Sequence, residues 1–180
     1  MNNEKKYNLV QWFFMSLCCV YGMFSKRLIL PVANIITHAL HIPGGIGTSF
    51  SLLFLAVGAW LCNVPYAGTL MGVVQGLLAM IMGMTGHMGI LAPIGYILPG
   101  VMIDLCYFII KKLKIRSLKF VPLTNGLASI TAALFANIVS YRVSGIVLCL
   151  YIVVAFVSGV IFGVLAMSLL RILRPILKFE

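Results

Sequence analysis

Carboxylates are nearly missing from this chain: three Asp or Glu residues stand among 180. Glu4 and Glu180 lie near the ends, and Asp104 alone falls inside an apolar run. That scarcity excludes paired-carboxylate acid/base work and two-metal chemistry. There is no Walker glycine loop, so ATP hydrolysis by this chain alone is excluded, and no His-Glu-x-x-His motif. Charge of either sign is sparse, at 9% of residues, where soluble domains carry about 25%. Thirteen basic and three acidic side chains are too few to cover a soluble surface. The formal charge of +10 does not indicate nucleic-acid binding, because the basic residues flank apolar runs instead of forming one patch.

What is abundant is apolar. The hydrophobic class makes up 62% of the chain, and mean hydropathy is +1.13. These values predict an all-α integral membrane protein, a single transmembrane domain over 1–180. At about 20 residues per span, such a length holds at most six or seven spans.

The apolar runs predict six: about 9–24, 46–62, 66–84, 88–110, 121–141 and 144–170. The first stops at Ser25, Lys26 and Arg27. It lacks an Ala-x-Ala-like exit and is read as a retained span, not a cleaved signal. A weaker stretch, 28–40, contains Pro31, Asn34, Thr37 and His38 and ends in the turn signature His41-Ile42-Pro43-Gly44-Gly45. It is read as part of a long first extracellular loop, 25–46. Lys111-Lys112-Leu113-Lys114-Ile115-Arg116 is a hard stop after the fourth span. Six spans with a cytoplasmic N-terminus put ten of the thirteen basic residues inside. Only Lys26, Arg27 and Arg142 fall outside. Basic residues favour the cytoplasmic side, so both termini are expected in the cytoplasm of a plasma-membrane protein.

Five cysteines (Cys18, Cys19, Cys62, Cys106, Cys149) form no Cys-x-x-Cys pair and read as free thiols acting as small hydrophobes. Helices in lipid associate through close backbone approach and polar links. Gly68-x3-Gly72-x3-Gly76 in the third span and Ala155-x3-Gly159-x3-Gly163 in the sixth supply flat faces. Packing within the bundle is the expected use, with docking of a separate subunit as the other reading. Pro93 and Pro99 predict a kinked fourth span.

Polar groups inside a membrane are costly, so each is a functional candidate. Asp104 is read either as a functional group (substrate ligand, proton relay or partner contact) or as a structural ion pair or hydrogen bond with a neighbouring helix end. The outer half holds more: His87, Tyr96, Asn137, Tyr141, Arg142 and Tyr151, with Thr48, Ser49 and Ser51 at the start of the second span and Gln75 mid-way along the third. Asn137 and Tyr141 are four apart and share a helix face. Together these residues are expected to line a cavity open to the outside, with His38 in the loop that covers it. His38 and His41 have no Cys or carboxylate near them, so no metal site is expected. No catalytic residues are expected. Ser144 with His87 is a weak dyad, which leaves a membrane enzyme as the least favoured reading, behind an autonomous small carrier or channel.

Six spans in this length, cytoplasmic termini, a long first outer loop and a basic loop after the fourth span resemble the substrate-binding S components of energy-coupling factor (ECF) vitamin transporters. Gly44-Gly45-Ile46-Gly47, the Gly-rich third span and Leu98-Pro99-Gly100-Val101-Met102-Ile103-Asp104-Leu105 are similar to runs in several S components. The resemblance covers about 9–170. It implies high-affinity binding of a small water-soluble vitamin or precursor, with no cofactor. The implied partners are membrane lipid, a transmembrane coupling subunit and two cytoplasmic ATPases. Cys18-x3-Gly22 stands near the family's coupling-subunit docking face on the first span. Aromatic and amide groups suit a flat heterocycle. The shortage of outer carboxylates disfavours a cationic ligand, while Arg142 and the histidines accommodate an anionic one.

Overall fold

The computed structural model describes residues 9–39, 46–113, 118–142 and 144–177. Six α-helices dominate: α1 Leu9–Ala39, α2 Ile46–Cys62, α3 Ala67–Ile81, α4 Ala92–Lys112, α5 Val121–Ala136 and α6 Ile146–Leu177. No strand occurs among the described residues. Short 3₁₀ turns, Gly86–Leu91 and Leu118–Phe120, lead into α4 and α5, and a π turn, Asn137–Tyr141, ends α5. The helical stretches Leu9–Ala33, Met88–Lys112, Leu118–Ser140 and Ile146–Pro175 are long and apolar enough to cross a membrane, the second and third with the help of the flanking turns; α2 and α3 are apolar but shorter. Outward side chains such as Leu9, Phe13, Leu28, Ile81, Ile90 and Ile146 are exposed, an exterior suited to lipid.

The expected loop over 25–46 is corrected by α1. The helix runs unbroken through Ser25, Lys26 and Arg27 to Ala39, with Pro31 inside it. Lys and Arg are good helix formers; they end an apolar window, not a helix. The second half of α1 also has somewhere to pack. Ala33 is buried, and a side chain at Gly47 would meet Leu30 and Ala33, so the start of α2 lies on this extension. The turn signature at 41–45 falls outside the described residues. Two further boundaries differ. Helix α3 stops at Ile81 and α4 starts at Ala92, so Pro93 lies in the first turn of α4, where no intrahelical bond is lost. Pro99 lies inside α4.

The pairings follow the chain. Gln11 Nε2 donates to the Cys62 carbonyl at 3.1 Å, joining the start of α1 to the end of α2. Helices α3 and α4 meet along the Gly68–Gly72–Gly76 face: a Cβ on Gly72 would stand 2.7 Å from the Tyr96 carbonyl oxygen, and one on Gly76 3.0 Å from Pro93 Cα. Helices α5 and α6 meet along Gly159 and Gly163, against Ser129, Gly126 and Pro122. Both small-residue faces are therefore filled by neighbours in the same chain. Asn125 Nδ2 ties α5 to α6 by donating to the Gly159 carbonyl at 2.8 Å.

Helix α2 is the axis of the bundle. It touches each of the other five helices, and most of its side chains are buried. A helix surrounded on all sides has no use for a polar face, which explains the apolar run from Leu52 to Cys62 that follows Thr48, Ser49 and Ser51. The bundle has two ends. Gln11, Cys62, Asn63, Asp104, Tyr107 and Arg174 gather at one, through the Gln11–Cys62 contact, a hydrogen bond from Tyr107 to Asn63 and one from Arg174 to the Trp60 carbonyl. Lys26, Thr48, Tyr96 and Tyr151 meet at the other.

Candidate functional site

The second end holds a cavity of about 60 Å³. That is room for a handful of ordered waters and less than the roughly 300–1,000 Å³ of a drug-sized ligand pocket. Five of the six helices and the 3₁₀ turn before α4 contribute: Lys26 from α1, Thr48 from α2, Met88 from the turn, Tyr96 from α4, Ser129 and Ala133 from α5, and Tyr151 from α6. The space exists because the α4–α5 wall is built of small residues, Ala92, Gly95, Ala132, Ala133 and Ala136. Any larger aliphatic group there would close it.

Polar atoms in the wall are few, and their partners are specific. Lys26 Nζ donates to the Tyr96 hydroxyl at 3.1 Å and lies 4.2 Å from the Tyr96 ring centroid, within cation–π range. Ser129 Oγ is committed to the Asn125 carbonyl one turn back, at 2.8 Å. Tyr96 and Tyr151 complete the wall.

Of the residues expected in the site, Tyr96 and Tyr151 are brought together, with Thr48 beside them. Asn137 is buried at the start of the π turn, one residue past the cavity-lining Ala136, at 6% exposure; its carbonyl accepts from the Arg142 N–H at 2.7 Å. Arg142 is exposed, in left-handed backbone geometry with φ 48°, and does not line the cavity. The side chains of His38, His87 and Tyr141 lie outside the described residues. Gln75 and Ser49 serve the packing. Gln75 Nε2 donates to the Cys19 carbonyl at 3.4 Å, and Ser49 and Ser158 share a 3.0 Å hydrogen bond between α2 and α6. Cys18 and Gly22 face the chain's own interior: Cys18 packs near Gly58, and Gly22 lies under the Gln75 amide.

Lys26 is the member that the apolar runs hid. In the sequence it marks the end of a run. Along α1, however, it follows Cys19 by seven residues, Gly22 by four and Met23 by three, and all three are buried. Helical phase alone carries Lys26 onto the same inward stripe. Its neighbour Arg27 is exposed.

Asp104 belongs to the opposite end. Its Oδ1 accepts from the Gly68 N–H at 2.9 Å. Its Oδ2 accepts from the Thr69 N–H and the Thr69 hydroxyl, both at 2.6 Å. These groups lie in the first turn of α3, whose N–H groups have no partner inside their own helix. Asp104 is thus a cap supplied by α4, and its oxygens are spent on that task.

The fold and the cavity define a class: an apolar six-helix bundle of multi-pass membrane type with a small polar cavity at one end. Compared with family models, curated proteins and solved structures, the chain finds no match in any of the three.

Proposed function

We propose that this chain is the substrate-binding S component of an ECF-type importer, taking up a small water-soluble vitamin or precursor. In this reading all six helices span the plasma membrane. Both termini lie in the cytoplasm, and the Lys26–Tyr96–Tyr151 end faces outward. The observation that carries the reading is the pairing of a polar cavity at one end with spent polar groups at the other. The sole carboxylate among the described residues caps a helix, so among those residues no acidic side chain is left to serve as a relay that drives a cycle. Motive force then comes from a coupling subunit and two ATPases. The charge distribution points the same way. Lys111, Lys112, Lys119, Arg171 and Arg174 lie toward the Asp104 end, against Lys26, Arg27 and Arg142 near the cavity.

The cavity is smaller than a vitamin, so binding requires the α4–α5 wall or the long α1 to shift outward. The test is affinity purification of the tagged chain from its native membrane in mild detergent. A transmembrane subunit and two ATPases recovered with it support the reading. Ligand uptake into liposomes by this chain alone would replace it with an autonomous carrier.

A further inference from the structure

We propose that Lys26 is the recognition group of the cavity, and that the guest is a flat-ringed organic monoanion whose carboxylate meets the Lys26 ammonium. This rests on the binding reading above and names the class of ligand it would serve.

The first ground is an uncompensated charge. Lys26 is half-buried, and burying an ammonium is costly unless it is paired. Among the described residues the one carboxylate is Asp104, which stands at the far end of the bundle and is bonded to Gly68 and Thr69. The ammonium has three donors, and Tyr96 takes one of them. A phenol oxygen and a ring face stabilise a cation without neutralising it.

The second ground is placement. Of the adjacent pair Lys26 and Arg27, Lys26 lines the cavity and Arg27 is exposed. A lysine serving only as an interfacial anchor would extend its ammonium to the headgroups; this one sits over Tyr96 instead. The third ground is count and size. One lysine balances one negative charge, and among the described residues no arginine lines the cavity, whereas phosphate sites favour Arg or clustered backbone N–H groups. The Ala92–Gly95–Ala132–Ala133 wall leaves a slot too small for a ring at rest; the outward shift required above would admit one ring beside Tyr96 and Tyr151.

The experiment uses full-length protein in a neutral detergent, with benzoate and benzamide as probes. The two share a ring and differ in charge. Titration of protein labelled with ¹³C,¹⁵N-lysine, followed by NMR of the unmodified Cε–Nζ groups, reads Lys26 directly with its three donors intact; the Lys26→Met variant assigns its signal. Expected is a saturable shift of the Lys26 signal with benzoate, at least about tenfold weaker with benzamide, and lost in Ala133→Leu, which fills the slot. Equal responses to both probes, or no response to benzoate, would overturn the inference. So would a Lys26 signal moved by phosphatidylglycerol and not restored by benzoate, which would make it a lipid-headgroup anchor. The wild-type titration needs no mutant to fold. It is also independent of the co-purification: ATPases recovered alongside a silent Lys26 would leave the importer reading standing and remove only the ligand class.

Discussion

Asp104 and Gly72 show how single residues set the α3–α4 contact. Asp104 is 5% exposed and accepts three hydrogen bonds from the start of α3. Hydrogen bonds to a charged group contribute about 1.5–3 kcal/mol each, but they act here as one unit. Asp104→Ala is expected to destabilise the protein by roughly 2–4 kcal/mol, read as a lower unfolding midpoint in detergent, with Asp104→Asn intermediate. An unchanged midpoint in Asp104→Ala would mean that water serves the α3 end as well as the carboxylate does. At Gly72 a methyl group would stand 2.7 Å from the Tyr96 carbonyl oxygen, a backbone atom that cannot swing aside. Overpacking of this kind costs about 1–3 kcal/mol. Gly72→Ala is therefore expected to lower the midpoint measurably, while Val73→Ala, on the exposed side of the same helix, leaves it nearly in place. Because Tyr96 lines the cavity, Gly72→Ala should also weaken the benzoate response of Lys26.

At the scale of elements, apolar runs and helices proved to be different objects. The run 46–62 coincides with α2, because α2 is wrapped by neighbours and ends at Asn63 and Pro65, residues that stop a run and a helix together. The first run and α1 diverge, because Ser25-Lys26-Arg27 end the run without disturbing helical backbone. For the same reason the cavity was only partly legible. Tyr96, Tyr151 and Thr48 were visible as polar residues near one membrane face. Lys26 counted as a boundary charge until the helix was read through it. The glycine faces were visible as spacings, but their partners, Tyr96, Pro93, Ser129 and Pro122, depend on tertiary packing that spacing does not carry. The continuity of α1 is testable by cysteine scanning over 25–35 in a background lacking the native cysteines. Reactivity should follow a helical period, with Leu28 and Val32 open and Ala33 protected. Uniform reactivity would restore the loop.

For the whole molecule, import depends on which way the bundle stands in the membrane. The cavity end carries Ser144, in the α5–α6 connection, and the other end carries Leu113, just past α4; both are exposed. An importer's binding cavity must face out, and the basic residues past α4 and along late α6 must face in. The direct measurement is labelling of Ser144→Cys and Leu113→Cys, each as the sole cysteine, with a membrane-impermeant maleimide on intact cells. Ser144→Cys is expected to react on intact cells, and Leu113→Cys only after the membrane is opened. Labelling of Leu113→Cys on intact cells, with Ser144→Cys protected, would turn the cavity toward the cytoplasm and contradict the importer reading.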